Sequence, residues 1–169
     1  MIHLYCGEGK GKSTAACGLA VRAAGNGMRV LFVQFFKNGT SGETNILRRV
    51  NNIDFLFPQQ HYGRYKMLNK AQKEAIKTAY AAMLEQVICA ARQYEMIVLD
   101  EAVSAFGYGM FEREKLLAFL NEEGQAREIV LTGRNPLPEL LELADYATNM
   151  QKAKHPYDKG VPARKGIEF

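Results

Sequence analysis

Cysteine is scarce in this 169-residue sequence: Cys6, Cys17 and Cys89 stand singly, with no C-x-x-C pair. That excludes a disulfide framework and argues against structural zinc, and it fits a reducing cytosol. No apolar run approaches the ~20 residues a membrane helix needs. Met1 leads straight into Ile2-His3-Leu4-Tyr5 without a basic-then-apolar leader, so a cytoplasmic protein with no membrane association is expected. No stretch interleaves aromatic and basic residues in the way single-stranded nucleic acid requires, and none is expected as a partner. Internal repeats, low-complexity segments and linkers are also missing. Residues 1–169 therefore read as one domain.

What is present is an ordinary globular composition, 47% hydrophobic and 24% charged. The net charge is +4, and most of it lies at the end of the chain. From Gln151 to Phe169, Lys152, Lys154, Lys159, Arg164 and Lys165 oppose only Asp158 and Glu168, giving +3. A tail from about residue 152 is thus set apart by its charge. A small basic excess of this kind is most often a solvated surface.

Strand-like and helix-like stretches alternate along the chain. Ile2 to Tyr5 is a short apolar run, and Ser13 to Ala24 a small-residue helix stopped by Gly25-Asn26-Gly27. Arg29 to Phe36 reads as a strand buried on both faces, Thr44 to Val50 as a short helix and Ile53 to Phe57 as a third strand. A long helix is expected from about Lys70 to Tyr94, with Ile76, Ala79, Met83, Val87 and Ala91 at helical spacing. Met96 to Asp100 and Glu128 to Thr132 are further strands, with helices over Glu112–Leu120 and Leu137–Ala144. Gln59 to Asn69 and the residues from His155 read as loops. The alternation predicts an α/β fold, a mostly parallel sheet with helices on both faces.

Gly7-Glu8-Gly9-Lys10-Gly11-Lys12-Ser13-Thr14 lies between the first strand and its helix. Glycines let backbone N–H groups close around phosphates, and the helix N-terminus adds partial positive charge. Lys12 would reach the phosphates and Ser13 would place its hydroxyl on Mg²⁺. Cys6 occupies the first glycine position of the usual G-x-x-x-x-G-K-[ST] pattern, so the loop counted from Gly7 is one residue shorter. The fold expected is P-loop NTPase-like, of the RecA-like kind.

The strand Met96-Ile97-Val98-Leu99 delivers Asp100 and Glu101 to the sheet edge where ligands of such folds bind. Either acid can hold Mg²⁺ or Mn²⁺ there. Arg134, after Thr132-Gly133, would lie on the same edge and could pair bidentately with a phosphate. Gln34 and Lys37 end the second strand and are placed similarly. Arg22 falls on the loop helix, where a surface ion pair competes with a nucleotide role.

Together these residues resemble the P-loop type of ATP:corrinoid adenosyltransferase, which makes adenosylcobalamin by acting on cob(I)alamin or cob(I)yrinic acid a,c-diamide. The matching segments include Gly7 to Ala16, Arg22-Ala23-Ala24-Gly25, Val33 to Lys37, Gly42-Glu43 and Val98 to Glu101. Thr132-Gly133-Arg134, Leu143-Ala144-Asp145, Lys154 to Gly160 and Lys165 to Phe169 complete them. The resemblance implies that Co(I) attacks the 5′ carbon of ATP and expels triphosphate whole. It implies a nucleotide lying along the loop in the reverse of the usual direction. Lys10, Lys12 and Glu101 would be catalytic, with a flavoprotein reductant and a homodimer as further partners.

Two features set this sequence apart. Relatives often carry an N-terminal extension, whereas this sequence opens at the first strand. Some use a Phe-x-Trp pair to displace the lower cobalt ligand, and tryptophan is absent here. The comparable stretch is His61-Tyr62-Gly63-Arg64-Tyr65, so Tyr62 or Tyr65 would contact the corrinoid. A small-molecule kinase and a RecA-like ATPase are the competing readings.

Overall fold

The computed structural model describes residues 1–37, 39–60, 63 and 65–168. Among them β1 (Ile2–Cys6), β2 (Val30–Gln34), β3 (Ile53–Leu56), β4 (Met96–Asp100), β5 (Glu128–Thr132) and β6 (Tyr146–Asn149) form one sheet. Its order is β3-β2-β4-β5-β1-β6, and every neighbouring pair is parallel. The helices are α1 (Lys12–Gly25), α2 (Thr44–Leu47), α3 (Lys70–Ala90), α4 (Ala102–Gly107), α5 (Arg113–Glu123) and α6 (Pro138–Leu143).

Alternation along the strands sorts the core into two layers. Leu4, Leu31, Val33, Ile97, Leu99, Ile129 and Leu131 pack on one side with Leu84 of α3, Phe106 of α4 and Leu116 of α5. Val30, Phe32, Val98 and Val130 face the other way, onto α1. The buried stripe of α1 is Ala16, Ala20, Ala23 and Ala24, small enough for the helix axis to lie close on the sheet. That close seat sets the height at which the glycine loop leaves β1.

Two elements lie outside the sequence expectation. β6 is exposed along its whole length and is held by its ladder to β1, so no apolar alternation marks it. α4 is six residues of Ala102-Val103-Ser104-Ala105-Phe106-Gly107, too short for a helical period to register. The long helix expected to reach Tyr94 ends at Ala90 and continues as a 3-10 turn over Ala91–Gln93.

The parallel arrangement brings all strand C-termini to one edge. Because β5 lies between β1 and β4, Thr132-Gly133-Arg134 sits between the glycine loop and the acidic pair. If the alanine seat of α1 sets the loop, Ala20→Leu should destabilise the protein by about 1–3 kcal/mol through overpacking. Urea unfolding would measure it, and an unchanged midpoint would remove the seat from the account.

Candidate functional site

The loop between β1 and α1 is braced from behind by the chain that follows β6. Gly9 N–H donates to Met150 O at 2.6 Å, and Met150 N–H donates to Cys6 O at 2.8 Å. A Cβ on Gly7 would stand 2.2 Å from Asn149 Oδ1, and one on Gly9 2.6 Å from Met150 O. Gly7 (φ 101°) and Gly11 (φ 116°) also adopt backbone angles that side chains disfavour. Gly7 and Gly9 therefore answer to the chain that follows β6, a reason the motif alone does not carry.

Lys12 is buried, and its Nζ donates to Gly7 O at 2.8 Å and Gly9 O at 2.7 Å, tying the loop into a ring. Burial lowers its pKa from the ordinary lysine value, partly opposed by the nearby Glu101 carboxylate. The first turn of α1 has neither an acid nor a side-chain cap, which leaves its amides available to an anion. Ser13 is half-buried, and its hydroxyl has no protein partner among the described residues. Thr14, Glu8 and Lys10 are exposed.

The two adjacent acids have different environments. Asp100 is fully buried. Its Oδ1 accepts from Thr132 Oγ1 at 2.7 Å, and its Oδ2 from Lys37 Nζ at 3.0 Å and Gln34 Nε2 at 3.4 Å. Lys37 also reaches Glu43 at 3.2 Å. Burial would lower the Lys37 pKa, but Asp100 and Glu43 outweigh it and hold the ammonium well above its ordinary value. For Glu43 burial acts upward, and its own backbone amide, Lys37 and Ser41 bring the net shift down.

The chain then turns into the left-handed region at Glu101 (φ 64°). Its N–H donates to Thr132 Oγ1 at 2.9 Å, and its Oε2 accepts from Ser104 Oγ at 2.9 Å. Thr132 thus joins both acids, a role visible only once β5 is seen beside β4. The Glu101 carboxylate is half-buried, and among the described residues its second oxygen has no protein donor.

Arg134 Nη1 pairs with Glu8 Oε2 at 3.0 Å, across the mouth of the loop. Gln34 and Lys37 are engaged with Asp100 and Glu43. Arg22 is not gathered with the rest. It lies nine residues beyond Ser13 on α1, about 13 Å along the helix at 1.5 Å per residue. There its charge partly offsets the burial that raises the Tyr5 hydroxyl pKa.

Beside the loop opens a cleft of about 1090 Å³, lined by Glu8, Glu101 and Arg134 at one end and by Phe36, Tyr65 and Tyr108 further out. The Tyr65 and Tyr108 rings lie 4.4 Å apart at 31°, with Phe36 6.2 and 6.0 Å from them. Phe36 is fixed by a hydrogen bond from its N–H to Tyr80 Oη at 2.5 Å. Of the expected aromatic pair, Tyr65 lines this wall and Tyr62 lies outside the described residues. Phe36 and Tyr108 were not anticipated as site residues. The aromatic between Gly107 and Gly109 after an acidic turn was the signal available for Tyr108.

Metal-binding chemistry at this edge is that of hard oxygen donors. The Ser13 hydroxyl and the Glu101 carboxylate fit Mg²⁺ or Mn²⁺. Both oxygens of Asp100 are already committed.

Residues 1–169 match the family model described as ATP:corrinoid adenosyltransferase BtuR/CobO/CobP. The corrinoid adenosyltransferase of Pseudomonas aeruginosa is 33% identical over all of this chain and 83% of its own length. That of Escherichia coli K12 is 32% identical over all of this chain and 85% of its own. Among solved structures, a KaiC-like protein from Pyrococcus horikoshii superposes with a TM-score of 0.54 at 14% identity. That match covers 89% of this chain and 70% of the other, and it supports the P-loop NTPase fold.

Removing the Lys37 ammonium would strand the buried Asp100 charge. Lys37→Met should cost about 3–5 kcal/mol, and adding Asp100→Asn should recover most of it. Urea unfolding of the single and double variants checks this. The same network fixes a pH window. The Lys37 contribution is intact below 10.5 and lost as pH rises through its raised pKa. The Glu43 contribution is intact above 4.5 and lost as pH falls through its lowered pKa. Unfolding midpoints against pH should therefore show a plateau between those limits, and Lys37→Met should remove the alkaline shoulder.

Proposed function

The chain belongs to the ATP:corrinoid adenosyltransferase family, and we propose how its residues divide the transfer of the 5′-deoxyadenosyl group from ATP to corrinoid cobalt. The observation that carries this division is the cleft of about 1090 Å³ opening directly from the glycine loop. It lies at the upper end of small-molecule sites and is walled by aromatic rings, as a flat macrocycle requires. A kinase would need only a small acceptor pocket there.

In this reading the triphosphate lies on the loop amides, with Lys10, Lys12, Thr14 and Arg134 around it and the 5′ carbon facing the cleft. Cobalt supplies the electron pair for the new Co–C bond, and the C5′–O bond breaks with its electrons passing to triphosphate. Charge gathers on the leaving group as that bond lengthens. Preorganised cations and N–H donors therefore stabilise the transition state more than the ground state. Arg134 would exchange its Glu8 partner for a phosphate. Ser13 and Glu101 would hold Mg²⁺ or Mn²⁺, which neutralises triphosphate charge, while Asp100 stiffens the strand end behind them.

No protein nucleophile is called for. Cys17, which feels the charges of Asp100 and Glu43, has its pKa pushed up to about 12 by burial and by those two acids, so it stays protonated. We further read residues 1–169 as one nucleotide-binding domain with a tail from about 152. A homodimer, a cytoplasmic location and a flavoprotein reductant belong to this reading through the family. No described helix is long and apolar enough to cross a membrane.

The product identifies the reaction. ATP and reduced corrinoid should yield triphosphate; ADP with a phosphorylated acceptor, or ADP with free phosphate, would replace this reading with a kinase or an ATPase. Lys12→Ala, losing a contact worth on the order of 1.5–3 kcal/mol, should weaken ATP binding and nearly abolish transfer. Glu101→Gln should lower activity and respond to added Mn²⁺ without loss of stability, whereas Asp100→Asn should chiefly alter the unfolding midpoint. The reverse pattern would exchange the two acids. Tyr65→Ala and Tyr108→Ala should slow turnover from Co(II) corrinoid more than from chemically generated Co(I). Equal losses in both assays would take the aromatic wall out of the cobalt reduction step.

A further inference from the structure

One polar side chain in α4 serves neither the core nor the helix. In Ala102-Val103-Ser104-Ala105-Phe106-Gly107 the residues Ala102, Val103, Ala105 and Phe106 are buried and seat the helix on the sheet. Ser104 is left half-buried on the wall of the cleft. Its Oγ donates to Glu101 Oε2 at 2.9 Å and accepts from the Arg134 N–H at 3.4 Å. Its carbonyl accepts from the Tyr108 N–H at 3.1 Å. Ser104 thus touches the acidic, the phosphate-facing and the aromatic parts of the site.

The contact with Arg134 depends on Gly133. At φ 148° this residue has a backbone angle that side chains disfavour, and a Cβ on it would stand 2.8 Å from Ser104 N and 3.0 Å from Ser104 Oγ. Only a bare backbone can pass so close, and it carries the Arg134 amide to the serine. A hydroxyl has one proton to give. With the Arg134 N–H on its oxygen, that proton goes to the Glu101 carboxylate, and each bond polarises the other.

Nothing in its own helix holds the Glu101 side chain. It stands at the N-cap of α4, where a side-chain oxygen ordinarily accepts from the first amides of the helix. Its left-handed backbone is not the extended one such a cap uses, and its carboxylate accepts from none of those amides. Among the described residues the Ser104 hydroxyl is its one hydrogen-bond donor. A glutamate side chain is long and rich in rotamers, so without that donor the carboxylate would spread over several orientations.

We propose that Ser104 is a positioning residue for the divalent metal, holding the Glu101 carboxylate so that its other oxygen is presented to Mg²⁺ or Mn²⁺. The inference rests on the reading above in which Ser13 and Glu101 hold that metal. Ser104 supplies no ligand and takes no part in making or breaking bonds. It acts through Glu101, fixing the acid before the ion arrives, as a hydrogen-bonded partner behind a metal ligand does. Because the same hydroxyl is tied to the Arg134 backbone, it sets the metal acid and the phosphate arginine in register.

The test measures Mn²⁺ binding directly. With protein in excess over ATP, the free Mn²⁺ signal in electron paramagnetic resonance gives the dissociation constant of the metal. Ser104→Ala should raise that constant about 10-fold. The urea unfolding midpoint should hold, since alanine suits a helix. ATP affinity in EDTA should also hold, because the loss lies with the metal. In transfer assays the Mn²⁺ needed for half-maximal rate should rise in parallel, and saturating Mn²⁺ should restore most of kcat.

A second comparison asks whether the serine acts through the acid. In the Glu101→Gln background, Ser104→Ala should change the Mn²⁺ constant by less than about twofold. An unchanged constant in Ser104→Ala alone would overturn the proposal. So would an equal loss in both backgrounds, which would make Ser104 a ligand in its own right. The reading beneath it fails differently. If Glu101→Gln binds Mn²⁺ as tightly as wild type, the metal assignment falls and the proposal falls with it. If Glu101→Gln binds weakly and Ser104→Ala normally, only the proposal falls. If ATP and reduced corrinoid yield no triphosphate while the hydroxyl still governs Mn²⁺ binding, the transfer is lost and the role of Ser104 stands.

Discussion

A carboxylate with no access to water must be neutralised where it stands, and Asp100 is in that position at the centre of the sheet edge. Three strand ends meet at this carboxylate, its own β4 and the two flanking strands that supply its partners: Gln34 at the end of β2 with Lys37 just beyond, and Thr132 at the end of β5. An uncompensated charge at this depth would cost several kcal/mol, so the three ends are obliged to converge. Thr132 then passes the constraint on. By accepting the Glu101 N–H it holds the next residue in the left-handed turn that directs the second carboxylate out of the core. One acid is consumed in building the edge, and the other is thereby presented to the cleft.

The glycine loop obeys a parallel logic from the opposite direction. Its carbonyls are gathered by the Lys12 ammonium, and its back is fixed by Met150. A lysine partly stripped of water and resting on two carbonyls is readily drawn toward a phosphate, because a full negative charge outcompetes two dipoles. Burial acts on the charge of Lys12 in the same sense, since a lowered pKa marks an ammonium that gains by meeting an anion.

Much of this was legible in the sequence, for physical reasons that can be named. β1, β2, β4 and β5 are buried on both faces or nearly so, and a chain that must avoid water on two sides has to be written in apolar residues. β6 escapes notice because Tyr146-Ala147-Thr148-Asn149 lies on an edge where backbone pairing alone suffices. The loop and the acidic pair announce themselves through residue types that few other settings favour. The division of labour between Asp100 and Glu101 does not, since it depends on a backbone angle at one residue and on a hydroxyl thirty-two residues away. Phe36 and Tyr108 were hidden for a similar reason: an aromatic reads as core until the fold shows which face is left open. Arg22 stands nine residues beyond Ser13 on α1, a separation that its place on the loop helix already gave in the sequence.

The bracing of the loop by Met150 has a bearing on how the protein comes into being. β1 and the glycine loop are made before the strand and the backbone oxygen that fix them, which lie beyond all five of the other strands in the sequence. During synthesis the nascent chain therefore carries its glycine loop unbraced until β6 and Met150 have followed. The shape of the loop is acquired later than its residues appear.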